Sequence, residues 1–159
     1  MKVIPLTQGL FAKVDDIDYE RVINQSGWMA VFVGNRYYAR SNNQLGLYLH
    51  NFIMGSKGID HINLDGLDNQ RSNLRPATKS QNAMNQGKRN TPTSSRFKGV
   101  YYNKGKNKWA AEIKKDGVKR FLGYFDFEED AALAYDQAAT EWFGEFARTN
   151  KAVDVSEFN

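Results

Sequence analysis

Asp60 and His61 stand side by side in the stretch IDHINLDGLDNQRSNLRPATKSQN, residues 59–82. Behind them come Asn63, Asp65, Asp68, Asn69, Asn73 and Asn82, with Arg71, Arg75 and Lys79 interspersed. Phosphodiester hydrolysis needs a base to activate water, a metal to screen charge on the phosphate and the leaving oxygen, and a rigid frame for both. A histidine near neutral pKa suits the base. Asp and Asn oxygens suit hard magnesium, and an arginine or lysine holds a phosphate oxygen. Adjacent strand residues point to opposite faces, so Asp60 and His61 serve one site only at a strand end or a bulge. The polar loop after Ile62 offers such an end, and Asn82 would join from the helix that follows. A plain surface loop fits the same residues: Asp-His pairs are common in loops, and Asn63, Asp65, Asp68 and Asn69 are turn-forming types. Spacing alone leaves both open.

The bulk composition narrows the classes. The 159 residues, 41% hydrophobic and 25% charged, suit one soluble domain or two small ones. A net charge of +4 favours an acidic partner. The chain has no cysteine, which excludes disulfides, thiolate zinc sites and cysteine nucleophiles and suits a reducing compartment. With two histidines, any metal site is largely oxygen-ligated. No apolar run reaches the roughly 20 residues of a membrane span. The opening MKVIPLTQGLF is too short and polar for a signal peptide, so the expected location is the cytoplasm.

The elements that must position these residues follow from pattern. KVIPLT and LFAKV read as strands about a turn at Gln8-Gly9, and DDIDYERVINQSG reads as a helix capped by Asp15 or Asp16 and ended by Gly27. WMAVFVGNRYYAR reads as a hairpin turning at Gly34-Asn35. LGLYLHNFIM reads as a buried helix on Leu45, Leu49, Phe52 and Ile53, in which His50 has a structural role. A strand ends at Ile59–Ile62, a second covers Asn73–Pro76, and a helix starts near Thr78, with Gln81 completing a capping box. Five basic and no acidic residues lie between Arg71 and Arg89, so this part should face an anion. GKRNTPTSS is the best linker.

Beyond it, FKGVYY, KWAAEIKKD and KRFLGYFD read as three strands, with turns at Asn103-Lys104-Gly105 and Asp116-Gly117. FEEDAALAYDQAATEWFG reads as a helix capped by Asp126, with Glu129 in a capping box and Gly144 at its end. Its packing stripe is Ala131, Ala134, Tyr135, Ala138 and Trp142. From Arg96 to Arg120 there are nine basic residues against two acidic; from Phe121 onward there are nine acidic against two basic. A positive sheet with one face covered by an acidic helix would offer its other face to a polyanion; a solvated mixed-charge surface is the alternative.

LHNFIMG followed by IDHINLDGLDNQRSNLRPATKSQN resembles the HNH homing endonucleases of phages and their introns, over about residues 45–85. The opening VIPLTQGLFAKVDDIDYERV also looks like the leader of many such proteins. The segment from SRFKGVYY to EFARTN resembles the DNA-binding domain of plant ethylene-response factors, the APETALA type. The resemblance implies a ββα-metal fold in which His61 is the general base, Asp60 and Asn82 are metal ligands, and Asn73 braces the loop that orients His61. Arg71, Arg75 and Lys79 become candidate phosphate contacts. Three departures from the family pattern stand out: Asn82 where a histidine is usual, Leu64 where glycine is frequent, and Gln70 where arginine is frequent. In the second family the sheet lies in the major groove, and the matching positions are Lys98, Tyr102, Lys104, Trp109, Glu112, Lys114, Arg120 and Phe121. Phe125, Leu133, Tyr135 and Trp142 are expected in the core.

The expected architecture is α+β. A small α/β region covers 1–55, a ββα-metal (HNH) module 56–87 and a linker 88–95. A three-stranded antiparallel sheet on one helix covers 96–150, and a tail covers 151–159. The expected activity is that of a metal-dependent DNA endonuclease of homing type using one magnesium or manganese ion. It would act as a monomer on double-stranded DNA, without membrane or small-molecule cofactor, in the bacterial cytoplasm if phage-encoded. Two rivals remain. One is a DNA-binding regulator with a decayed nuclease module. The other is an RNA-binding protein stacking bases on Tyr101, Tyr102 and Trp109.

Overall fold

The computed structural model describes residues 1–25, 27–43, 46–88 and 93–150. The chain divides into two compact units, Met1–Thr78 and Lys79–Asn159. Leu45, residues 89–92 of the expected linker and the tail lie outside the described residues.

The first unit is built from three two-stranded antiparallel sheets and two helices. β1 (Lys2–Pro5) pairs with β2 (Phe11–Val14), placing Ile4, Ala12 and Val14 inward. α1 (Asp16–Gln25) follows, and Gly27 after it has φ +67°, a conformation that favours glycine. β3 (Trp28–Val33) and β4 (Arg36–Ser41) form a regular hairpin from Trp28↔Ser41 to Val33↔Arg36, closed by Gly34-Asn35 as its sequence predicts. α2 (Leu49–Met54) buries Leu49, His50 and Ile53 and ends at Gly55 with φ +67°. β5 (Ile59–His61) and β6 (Leu74–Pro76) then pair with Asp60 opposite Arg75 and His61 opposite Leu74. One core of Ile4, Val14, Val22, Trp28, Leu49, Ile53, Ile59 and Leu74 holds the unit together.

The second unit opens with α3 (Lys79–Asn85), which the expected nuclease module includes. The reason for its grouping is local. Met84 is buried, and Lys98 Nζ donates to the carbonyls of Met84 (2.7 Å) and Gln86 (2.6 Å). β7 (Val100–Asn103), β8 (Lys108–Lys115) and β9 (Val118–Phe125) form an antiparallel sheet in that order, with an irregularity between Ala111 and Glu112. α4 (Glu128–Phe143) packs on it through Ala131 and Ala132 against Val100 and Ala111. Small side chains let a helix lie close to a sheet.

Three local expectations are corrected. The cap of α4 is Phe127, without a side-chain hydrogen bond; Asp126 pairs instead with Lys108 at 2.9 Å, and Glu129 with Arg96 at 3.1 Å. Each carboxylate is paired with a cation instead. Leu133 is 41% exposed rather than in the core. The packing stripe ends on buried Phe143, while half-buried Trp142 lies under the Arg120 guanidinium.

Candidate functional site

β5 is three residues long and buried throughout, and it ends at His61. The chain then leaves the sheet through a polar loop closed by its own side chains. Asp65 N donates to Asn63 Oδ1 (2.8 Å), Leu67 N to Asp65 Oδ1 (3.0 Å), and Asn63 Nδ2 to Asp68 Oδ2 (2.9 Å). These are the side-chain-to-backbone bonds by which Asn and Asp make turns. Asn73 spans the loop: its Oδ1 accepts from Asn63 N (2.9 Å) and its Nδ2 donates to the Asp68 carbonyl (2.7 Å). Leu64 occupies φ +69°, which explains in physical terms why a glycine suits that place. Gly66 carries the loop against β4, where an added Cβ would strike the Tyr37 carbonyl and the Tyr38 ring.

Asn69 is a residue that sequence reasoning treated only as a turn former. It is fully buried, and its Oδ1 lies 3.3 Å from His61 Nε2. With the amide in this orientation its oxygen accepts from Nε2. Burial pushes the His61 imidazole below its ordinary pKa; the Asn69 hydrogen bond and the carboxylates of Asp60, Asp65 and Asp68 oppose that shift without reversing it. The ring is fixed on other sides by aromatics. His50 meets it edge-on at 4.9 Å and Tyr38 at 5.9 Å, and Tyr48 stacks on His50 at 5.4 Å. His50 therefore packs directly on the candidate base, and burial lowers its own pKa to about 3. Neither Tyr38 nor Tyr48 has a sequence signal beyond its place on an apolar element.

The candidate cations are distributed unequally. Arg75, opposite Asp60 in the β5–β6 register, sends Nε and Nη2 to Asp60 Oδ2 at 3.2 and 3.1 Å. Arg71 points toward α1: its Nε donates to Asp18 Oδ2 (2.7 Å) and its Nη2 to Asp18 Oδ1 (2.8 Å) and the Ile53 carbonyl (3.2 Å). Arg21 joins the same carboxylate at 3.0 Å. The Arg71 hydrogen bond, aided by both cations, holds the Asp18 carboxyl below the usual range against its burial. Asp15 adds bonds to Arg71 N (2.8 Å) and Gln70 Nε2 (3.4 Å). Lys13 exchanges backbone bonds with Leu67 (2.8 Å) and Asn69 (2.9 Å). Residues 13–21 thus clamp the loop. Lys79 and Asn82 are exposed on α3, where Asn82 Oδ1 accepts from Gln86 Nε2 at 3.0 Å.

No group of three or more His, Cys, Asp or Glu able to hold a metal ion occurs among the described residues. Asp60 carries the kind of oxygen that magnesium takes, alongside waters and phosphate oxygens.

In the second unit the strand register sorts the candidate positions by face. Val100, Ala111, Tyr102 and Trp109 lie on the helix side, where Tyr102 and Trp109 meet at 5.1 Å and Trp109 packs on the core. Arg120 lies opposite buried Ile113 and stacks on Trp142 of α4. Lys98 is held by the α3 region, and burial lowers its pKa to about 8. Lys104 is exposed in the β7–β8 turn. The other face carries Tyr101, Glu112, Lys114, Lys119, Phe121 and Tyr124, with Phe121 and Tyr124 in edge contact at 4.9 Å. Lys119 pairs with Glu112 at 2.9 Å. Lys119 and Tyr124 were missed from sequence; they are five apart on β9, and only the irregularity between Ala111 and Glu112 brings both to this face.

Comparison with known proteins matches both regions. Residues 95–145 match the AP2 domain model. Over 153 residues the chain is 33% identical to an uncharacterised HNH endonuclease of Acanthamoeba polyphaga mimivirus, an alignment covering 91% of this chain and 76% of the viral protein. It is 35% identical over 91 residues to the ethylene-responsive transcription factor ERN2 of Medicago truncatula, covering 56% of this chain and 28% of the plant protein. With ethylene-responsive transcription factor ERF069 of Arabidopsis thaliana the identity is 43% over 65 residues, 38% of this chain and 40% of the plant one. The plant matches span less than half of the plant proteins, whereas the viral match runs along most of both chains. The chain belongs to the HNH endonuclease family and carries an AP2 domain at residues 95–145.

Proposed function

We propose that this protein is a metal-dependent HNH DNA endonuclease of homing type that hydrolyses phosphodiester bonds in duplex DNA. The observation that carries the reading is His61: a buried imidazole at a strand end, held through its Nε2 by Asn69 Oδ1. Burial keeps that ring neutral at pH 7, as a general base must be. The His61 imidazole takes a proton from a water whose oxygen attacks phosphorus in line. The P–O bond to the 3′ oxygen breaks, and the leaving oxygen takes a proton from solvent. Asn73 keeps the loop closed during this step.

Asp60 is the residue of the first unit that the resemblance assigns to a magnesium ion. When bound, that ion would supply charge screening at the phosphate and the leaving oxygen. Arg75 neutralises Asp60 and Arg71 serves Asp18, so exposed Lys79 is the candidate among the three best suited to a phosphate. The open face of β7–β9 would grip the duplex with Lys114, Lys119, Tyr101, Phe121 and Tyr124. The viral relative is named an endonuclease and the plant relatives transcription factors, which supports cleavage in one part and DNA binding in the other.

The test is plasmid cleavage in magnesium by the wild type and His61→Ala. Conversion of supercoiled plasmid carrying a candidate site by the wild type alone supports the reading. If the wild type leaves that plasmid intact, the enzyme reading fails and a DNA-binding regulator takes its place.

A further inference from the structure

β4 alternates Arg36, Tyr38 and Arg40 onto one face, and Tyr38 is the residue of that face that meets the His61 ring. Arg40 lies two residues further along, and an isolated antiparallel bridge sets it opposite Tyr48. Residues opposite each other in such a bridge share a face with Cβ atoms about 5 Å apart. Tyr48 stacks on His50 at 5.4 Å, and His50 meets His61 at 4.9 Å. Arg40 is thus bracketed by the two tyrosines that wall the candidate base.

Its electrostatic situation is unusual. Arg40 is half-buried, and its Nε is shielded from solvent with no hydrogen-bond acceptor among the described residues. Three other arginines of the first unit have carboxylates: Arg71 and Arg21 share Asp18, and Arg75 holds Asp60. A partly desolvated guanidinium without a counter-charge is costly unless an anion completes it. The fork of a guanidinium matches two oxygens of a phosphate.

We propose that Arg40 is a phosphate-binding residue of the His61 site, holding the backbone of a bound duplex at or next to the bond to be cut. The proposal rests on the nuclease reading for its catalytic consequence but not for the contact itself. It adds a cation from the β3–β4 hairpin, outside the stretch that carries the family motif. The hairpin's shape suits the task, since one face presents two arginines and a tyrosine while the other buries Ala30 and Ala39.

The experiment uses the full chain and compares wild type, Arg40→Gln and Arg40→Lys. Gln keeps much of the aliphatic stem without charge, and Lys keeps the charge without the fork. Affinity for a duplex DNA fragment is measured in EDTA across a salt series, so that no cleavage is needed. Single-turnover nicking of supercoiled plasmid is measured in magnesium at saturating protein, alongside thermal melting. The expected result for Arg40→Gln is a salt slope of log affinity smaller by about 1. Nicking slows about 100-fold, melting is unchanged, and Arg40→Lys restores the slope and part of the rate. An unchanged slope, or a lower melting temperature that Lys does not restore, overturns the proposal in favour of a structural arginine. If the wild type does not nick but the slope still falls, the nuclease reading fails while the phosphate contact stands.

Discussion

In residues 1–78 the charged side chains that organise the structure are turned inward. Asp18 and Asp60 have side chains only 3% exposed, and each closes on an arginine. From residue 96 to 150 the ion pairs lie open: Lys119 and Glu112 are 63% and 35% exposed, Arg96 and Glu129 52% and 65%. The difference separates two kinds of work. A buried carboxylate fixes geometry, because breaking its pair strands a charge in a medium that solvates it poorly. An exposed lysine fixes little but attracts a polyanion, because its energy is shared with solvent and salt. The first unit fixes its charged side chains in place, and the second holds a surface of charge and aromatic rings.

The sharpest break between the two would come from His61→Ala. Plasmid nicking should fall by about 1,000-fold, within the usual range for a lost general base, while duplex affinity in EDTA stays within about twofold. Loss of binding in proportion to loss of cutting would erase the distinction. Next in size is Asp18→Asn, which leaves Arg71 and Arg21 facing an uncharged amide. The first unit should lose about 2–4 kcal/mol in denaturant unfolding, and a loss below 1 kcal/mol would mean that Asp18 is no clamp.

An acid titration of stability addresses the histidines. The folded pKa of His50, about 3, lies below the ordinary value of 6.5, so the unfolded chain takes up its proton first as pH falls. Stability from this group is intact above pH 6.5 and erodes toward pH 3, by at most about 1.4 kcal/mol per pH unit. His50→Phe should flatten that slope in urea melts at a series of pH values. A smaller effect separates the two faces of the second unit's sheet. Lys114→Ala on the open face should lower the salt slope of DNA binding by about 1, whereas Arg120→Ala, on the helix side, should leave it unchanged. The reverse result would mean that the register assigns the wrong face. Smallest is Leu64→Gly, which relieves a left-handed leucine and should raise stability by about 0.5–1 kcal/mol.

How much of this was legible beforehand depends on sequence distance. The β3–β4 hairpin and α4 announce themselves through period and turn chemistry within a dozen or so residues, and both occur where expected. Asp60, His61 and Asn73 are legible as an ordered set. Asn63, Asp65 and Asp68 proved to be turn formers, and Asn69, the same residue type in the same loop, proved to touch the histidine. Composition cannot distinguish them, because the distinction is which way a side chain leaves the turn. Arg71 illustrates the other limit. Its partner Asp18 lies on a different helix far back in the chain, and nothing in a basic run names the carboxylate that will claim it. The sheet faces fall between: alternation from buried Val100 and Ala111 sorts β7 and β8, but the register shift between Ala111 and Glu112 breaks the count along β9.

The clamp from residues 13–21 onto the loop has a consequence for portability. Lys13 is stitched by two backbone bonds to Leu67 and Asn69, Asp15 caps Arg71, and Asp18 seizes its guanidinium. The motif-bearing segment therefore carries its chemistry in residues 59–82 but borrows its shape from the first strands and helix. A graft of that segment alone into another scaffold would deliver the side chains without the jig. The smallest transplant that keeps Asn69 against His61 begins at the amino terminus.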